Sequence, residues 1–105
     1  MLTIDQSFDG ASVNLSVGQV LELRLPENPT TGFVWNFESK GDPGCAVIDN
    51  RFVASGVRPG SGGEHTWHIR GLKAGVCRIS LVYRRPWEVA ALPAHKFQIT
   101  IDVTR

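Results

Sequence analysis

The sequence predicts an all-β protein: an immunoglobulin-like antiparallel sandwich of seven to eight strands with three loops at one end. Two observations support this prediction. Apolar residues recur at every second position along most of the chain, which is typical of strands with one buried face. Turn-forming residues separate these runs at near-regular intervals, as in sandwich domains of about 100 residues. The chain has 105 residues, and two independent cores would not fit, so we expect a single domain spanning residues 1–105.

The predicted strands follow one another along the whole chain. Two weaker candidates lie near Leu2 to Phe8 and Cys45 to Val53. No window has a convincing helical stripe, because the best segment is bracketed closely by Pro86 and Pro93. The clearer strands are defined by alternating apolar positions: Val13, Leu15 and Val17; Leu21, Leu23 and Leu25; Phe33, Trp35 and Phe37; Trp67 and Ile69; Cys77, Ile79, Leu81 and Tyr83; and Phe97, Ile99, Ile101 and Val103.

Charge and hydropathy exclude several classes of partner. Eleven lysines and arginines stand against ten acids, for a formal net charge of +1. That balance leaves no surplus of positive charge for nucleic-acid phosphates or anionic lipid. No apolar run exceeds four residues, which is too short to span a membrane. We therefore expect a protein that binds neither nucleic acid nor membrane. We also expect it to be a monomer.

The two cysteines, Cys45 and Cys77, allow two interpretations. They form either a disulfide in an oxidising compartment or two buried thiols in a reducing one. We favour the disulfide, because each cysteine lies at the start of an apolar run that follows a glycine, Gly44 for Cys45 and Gly75 for Cys77. A disulfide favours an extracytoplasmic site, either periplasmic or secreted, although the first basic residue is Arg24 and the chain as given has no signal peptide.

The histidines do not predict a metal site. His65 and His68 are three residues apart, and on a strand this spacing places them on opposite faces. No thiol or carboxylate clusters with them by spacing. We expect no metal and no cofactor.

Three connections stand out by composition. If consecutive strands alternate in direction, the connections 26–32, 55–63 and 84–94 leave the sandwich at the same end, as binding loops do in antibody variable domains. They hold ten of the 17 residues that are glycine (11) or proline (6). Taken singly, each fits a plainer interpretation: a rigid connection, a hairpin tip, and a Trp87 that folds back onto the core. Together they predict a binding surface.

The motifs in these loops resemble those of one family. Asn-Pro-Thr-Thr-Gly-Phe stands at 28–33, a glycine-rich stretch at 59–63 precedes the strand of Trp67, and Arg-Pro-Trp follows Tyr83 at 85–87. In this order and spacing they resemble the chagasin family of cysteine peptidase inhibitors, across nearly the whole domain. Ser61 is a departure, since alanine is commoner there in the family.

The resemblance implies a reversible, non-covalent, tight-binding inhibitor of papain-like cysteine peptidases, and not an enzyme. Loop 28–32 would enter the catalytic cleft, flanked by loops 55–63 and 84–94. Trp87 would serve as an aromatic anchor, and Arg85 would pair with acids on the rim of the cleft. The alternative is an immunoglobulin-like module that binds another protein or a surface polymer and inhibits nothing. The implied contact residues are Asn28, Pro29, Thr30, Thr31, Gly32 and Phe33; Pro59, Gly60, Ser61, Gly62 and Gly63; and Arg85, Pro86 and Trp87.

Overall fold

The computed structural model describes residues 1–56, 62–88 and 90–105. Eight strands and two single turns of 3₁₀ helix, at Gln6–Phe8 and Pro29–Thr31, make up the described secondary structure. No helix in the described part of the chain is long and apolar enough to cross a membrane. The strands are β1 (Leu2–Ile4), β2 (Ser12–Ser16), β3 (Val20–Glu27), β4 (Val34–Lys40), β5 (Cys45–Ala54), β6 (Gly63–Gly71), β7 (Gly75–Arg84) and β8 (His95–Thr104).

The strands form two four-stranded sheets. The first sheet has the order β1-β3-β6-β5 and the second the order β2-β8-β7-β4. The central arrangement is that of an immunoglobulin sandwich. In that fold the second, fifth and fourth strands share one sheet, as β3, β6 and β5 do here. The third, sixth and seventh strands share the other sheet, as β4, β7 and β8 do here. This confirms the predicted fold class. Two pairings, β1 with β3 and β2 with β8, are parallel, and the other four are antiparallel.

The first predicted strand is shorter than its sequence pattern indicates. β1 ends at Ile4, and the side chain of Asp5 then accepts a hydrogen bond from the backbone N–H of Ser7 to cap the turn Gln6–Phe8. This turn redirects the chain from one sheet to the other. Phe8, which the pattern placed in the strand, packs against the core from the turn instead.

The core lies between the two sheets and is built mainly from the alternating positions predicted for the strands. The prediction was wrong for Val17, which follows the end of β2 and is exposed. In β3, Leu21, Leu23 and Leu25 are fully buried, and the alternate positions of β7 and β8 are buried opposite them. Each such aliphatic side chain contributes about 1.5–3 kcal/mol to folding. The buried residues of the two later strands are Cys77, Ile79, Leu81 and Val82, then Phe97, Ile99, Ile101 and Val103.

The registers show which connections share an end. Glu27 pairs with Gly63, Val34 with Arg84, and Tyr83 with His95. The connections after β3, β5 and β7 therefore leave the sandwich together, at what we call the loop end. The predicted common end of the three loops is confirmed.

Both chain termini lie at the opposite end, which we call the far end. Leu2 pairs with Leu21 at the start of β3, and Val103 pairs with Gly75 at the start of β7. Since β3 and β7 both run toward the loop end, their first residues mark the far end of the sandwich.

The two cysteines face each other across the sandwich near the far end. Cys45 begins β5 in the first sheet and Cys77 lies near the start of β7 in the second. Both are buried thiols, with sulfur atoms 2.7 Å apart. Burial, and secondarily the contact with Cys77, raises the pKa of Cys45 to about 12. The disulfide stays a prediction, now with both partners adjacent.

A histidine clamp ties together three strands of the first sheet on its outer face. Nδ1 of His68 in β6 contacts Oδ1 of Asp49 in β5, and its Nε2 lies 3.0 Å from Oε1 of Glu22 in β3. The hydrogen bond to Asp49, followed by that to Glu22, raises the pKa of His68. Burial raises the pKa of Glu22, but its contacts with His68 and Arg24 outweigh this effect and leave the pKa lowered.

Candidate functional site

The first loop, residues 28–33, is closed by its own hydrogen bonds. Oδ1 of Asn28 accepts hydrogen bonds from the backbone N–H and the hydroxyl of Thr30, at 3.3 and 2.6 Å. The Asn28 carbonyl accepts from the N–H and the hydroxyl of Thr31, and the Pro29 carbonyl accepts from the N–H of Gly32. Gly32 ends the turn at φ 85°, which suits glycine. The loop is therefore a preformed turn.

The base of this loop is attached to both sheets. The backbone N–H of Asn28 donates to the Tyr83 hydroxyl at 2.9 Å, and Nε1 of Trp35 donates to the Pro26 carbonyl at 2.9 Å. The ring of Tyr83 packs against those of Phe33 and Trp35, with centroids 5.4 and 4.8 Å apart. Aromatic contacts of this kind add to the energy of burial and hold the loop at a fixed angle to the sandwich.

A buried carboxylate at the end of β3 supports the same base. Glu27 accepts a hydrogen bond from the backbone N–H of Trp35 and contacts the ring of His65. The contact residues predicted from the sequence include neither Glu27 nor His65. One signal was available, because Glu27 continues the inward alternation of Leu21, Leu23 and Leu25, where an acid is unusual.

The third loop packs against the first through Arg85. Its Nε donates to the Thr31 carbonyl at 2.9 Å, its Nη1 lies 3.1 Å from a Glu88 carboxylate oxygen, and its guanidinium lies 4.5 Å from the centre of the Phe33 ring. Arginine suits this position because its planar group can stack and donate several hydrogen bonds at once. Arg85 therefore braces the two loops in the free protein, and its pairing with acids on the rim of the cleft stays a prediction.

Trp87 lies at the surface beside the first loop and does not fold into the core. Its side chain is 69% exposed. A Cβ built on Gly32 would come within 2.4 Å of Cη2 of the Trp87 ring. The indole edge thus rests on a surface that only glycine leaves open, while most of the ring faces outward. A large, exposed aromatic side chain held in one place has the character of a binding hot spot.

The second loop is described at its stems. The N–H of Ser55 donates to the Gly62 carbonyl at 3.0 Å, which joins the two stems. At Gly63 a Cβ would lie 2.1 Å from the Val53 carbonyl oxygen, and at Gly62 it would meet Asn28 of the first loop at 3.4 Å. Gly63 thus lets β6 begin close against β5, and Gly62 lies in contact with the first loop. The predicted contact residues Pro59, Gly60 and Ser61 fall outside the described residues.

The loop end therefore brings together parts of all three predicted loops. Loop 28–33 occupies the centre, with the stems of the second loop on one side and the Arg85–Trp87 motif on the other. Residues 14–101 match the family model described as chagasin family peptidase inhibitor I42.

The chain belongs to the chagasin family.

Individual relatives agree with this assignment. The chain is 31% identical to chagasin of Trypanosoma cruzi over 101 residues, covering 91% of this chain and 92% of chagasin. It is 32% identical to amoebiasin-1 of Entamoeba histolytica over 91 residues, covering 82% and 84% of the two chains. These matches confirm the family predicted from the loop motifs. This chagasin-family protein is a peptidase inhibitor and not an enzyme.

Solved structures of similar chains have the same architecture. The solution structure of amebosin superimposes with a TM-score of 0.75 at 30% identity, covering 98% of this chain and 97% of amebosin. The crystal structure of EhICP2, a cysteine protease inhibitor from Entamoeba histolytica, gives a TM-score of 0.84 at 24% identity, covering 97% and 93%. At that identity the second comparison shows the fold alone.

Proposed function

We propose that this chagasin-family inhibitor blocks papain-like cysteine peptidases reversibly and without a covalent bond, with loop 28–32 in the catalytic cleft. Loops 55–63 and 84–94 then contact the two sides of the cleft. The single observation that supports this proposal best is the closed turn of the first loop at the centre of the loop end. Membership of the chagasin family of peptidase inhibitors supports the class of target.

The turn explains how a peptide loop can enter a peptidase cleft without being cleaved. A cysteine peptidase attacks an extended peptide whose carbonyl oxygen is free to enter the oxyanion hole. The Asn28 and Pro29 carbonyls accept hydrogen bonds from within the turn, and the Thr31 carbonyl accepts one from Arg85. These carbonyls are already engaged, and the turn is not extended, so the loop is poorly shaped for attack.

Rigidity favours tight binding of the same loop. A loop that is already in its bound shape loses little conformational entropy when it docks. The hydrogen bonds of Asn28, the ring contacts of Tyr83 and the brace of Arg85 all hold the loop in the free protein. Trp87 then supplies an exposed aromatic surface beside it.

Titration into papain tests the proposal. With a fluorogenic peptide as substrate, we expect stoichiometric loss of activity, recovery on dilution, and an inhibitor of unchanged mass after long incubation. Papain whose active-site thiol carries a small methylthio cap should still bind in calorimetry, because no covalent bond is required. A serine peptidase such as trypsin serves as the control and should stay active.

The Trp87→Ala variant tests the anchor in the same assay. Removing an interface tryptophan of hot-spot character costs about 2 kcal/mol or more, which is a rise of about thirty-fold in the inhibition constant. Because Trp87 is mostly exposed, the melting temperature should stay unchanged. Full papain activity at micromolar wild-type protein would instead favour the alternative, a binding module that inhibits nothing.

We further propose an extracytoplasmic, oxidising location. The adjacency of Cys45 and Cys77 supports it, because paired cysteines of this kind become disulfides in such compartments.

A further inference from the structure

Glu27 is an acid in a position that the fold reserves for apolar side chains. It is the last residue of β3, and its side chain is only 4% exposed. A buried carboxylate is tolerated only when hydrogen bonds or charged partners compensate for the loss of water. Both carboxylate oxygens of Glu27 have such partners.

The two carboxylate oxygens reach two different loop stems. Oε2 accepts a hydrogen bond at 2.9 Å from the backbone N–H of Trp35, which follows the first loop at the start of β4. Oε1 lies 2.9 Å from Nδ1 of His65, which follows the second loop near the start of β6. Since β4 and β6 belong to different sheets, one carboxylate connects both sheets and both stems.

The histidine extends this connection to the other stem of the second loop. Nε2 of His65 lies 2.8 Å from Oδ1 of Asn50 in β5, the strand that leads into that loop. The His65 ring also stacks on Trp67, with centroids 4.1 Å apart and planes inclined by 8°. The ring is therefore held in one orientation and transmits the position of Glu27 to β5 and β6.

The other supports at the loop end have a narrower role. The Tyr83 hydroxyl and the Trp35 indole hydrogen-bond only to the first loop and its approach, at Asn28 and Pro26. Arg85 joins the first loop to the third. Among the described side-chain hydrogen bonds, those of Glu27 connect the stem of the first loop to that of the second, beside the backbone pairing of Glu27 with Gly63.

We propose that Glu27 is a positioning residue that sets the spacing between loop 28–32 and the glycine-rich loop 55–63. Its carboxylate and the His65 ring act as one unit, and the spacing that they hold determines whether both loops fit the peptidase cleft together. The part of this inference that concerns inhibition rests on the proposed function.

The pair Glu27→Gln and Glu22→Gln tests the inference. Glutamine keeps the size of the side chain but removes its charge and one acceptor oxygen, so Glu27→Gln cannot offer an acceptor to both stems at once: if it accepts from the Trp35 N–H, it turns an N–H donor toward Nδ1 of His65. Glu22→Gln is the matched control: it alters a carboxylate–histidine contact of 3.0 Å between the same two strands, on the outer face of the sheet. We expect the papain inhibition constant to rise at least tenfold for Glu27→Gln and to change less than twofold for Glu22→Gln.

A second measurement does not depend on any peptidase. In amide NMR spectra of the free proteins, Glu27→Gln should shift the resonances of both Gly32 and Gly62, and Glu22→Gln should shift neither. If Glu27→Gln does not fold, His65→Phe cuts the contact with the second stem at a site that is 18% exposed, because its ring can neither donate nor accept a hydrogen bond. It carries the same expectation for inhibition and for Gly62.

The outcomes separate the two proposals. The positioning role is overturned if the Glu27→Gln variant inhibits papain like the wild type. It is also overturned if that variant shifts the amide resonance of only one of Gly32 and Gly62. Wild-type protein that leaves papain fully active overturns the proposed function, and the spectra then decide on Glu27 alone.

Discussion

Replacing Gly32 by alanine should weaken inhibition far more than its effect on stability would suggest. Gly32 has φ 85°, and an added Cβ would lie 2.4 Å from Cη2 and 3.1 Å from Cζ2 of Trp87. The left-handed backbone costs an alanine about 1–2 kcal/mol. A carbon–carbon contact prefers about 3.5–4.0 Å, so the indole must also move. Most of the ring is exposed, so displacing it gives up little buried surface and adds little to the cost in stability.

Gly18 provides the matched control for this prediction. It lies in the turn between β2 and β3 at the far end, has φ 88°, and has no heavy atom within 4 Å of an added Cβ. Gly18→Ala therefore carries the same backbone cost without the contact with Trp87. Both variants should lose about 1–2 kcal/mol of unfolding free energy, a fall of about 4–15 °C in melting temperature for a domain of this size.

The inhibition constants should separate the two variants. With Trp87 displaced, Gly32→Ala loses the contribution of a hot spot, about 2 kcal/mol, and its inhibition constant for papain rises about thirty-fold. Gly18→Ala should inhibit like the wild type at a temperature where both variants are folded. Equal inhibition constants for the two variants, whether both raised or both unchanged, would refute the role assigned to the contact between Gly32 and Trp87.

Three further predictions follow from contacts described above. Arg85→Lys keeps the charge but loses the planar group that stacks on the Phe33 ring and donates to the Thr31 carbonyl. The inhibition constant for papain should therefore rise about tenfold. An unchanged inhibition constant would instead show that the charge alone matters. His68 has a raised pKa, so its clamp stabilises the fold below pH 6.5 and loses this effect as pH rises through the folded-state pKa. In urea unfolding, His68→Gln should therefore lose more stability at about pH 5.5 than at about pH 8.5, and an equal loss at both pH values would contradict the clamp. Cys45 and Cys77, 32 positions apart, should form a disulfide in air. Reducing it should add the mass of two hydrogens and lower the free energy of unfolding by about 4 kcal/mol. A mass that reductant leaves unchanged would refute the bond.

The fold was predictable because its main determinant is local. Alternation along β3 and β8 places residues such as Leu23 and Ile99 in the core without reference to the rest of the chain. The neighbour of each strand in its sheet could not be predicted in the same way. The period-two pattern does not distinguish parallel from antiparallel neighbours. The early end of the first strand depends on the cap at Asp5, which the pattern does not indicate.

The binding surface was predictable in its location and less so in its internal contacts. The loop motifs and the alternation of strand direction were enough to place loops 28–33 and 84–94 together. The contacts of Arg85 depend on where the Thr31 carbonyl and the Phe33 ring lie after folding. Those of Glu27 depend on His65, which is 38 residues away in the sequence. Spacing along the chain does not predict contacts between residues so far apart in the sequence.

The placement of both termini at the far end has a practical consequence for work with this protein. A dye, an affinity tag or a surface linker attached at Met1 or Arg105 would point away from a peptidase docked on the loops. Immobilised through either end, the molecule would present its three loops outward, much as an antibody fragment is displayed. Sensors and capture resins for cysteine peptidases can therefore be built on it without redesigning the sandwich.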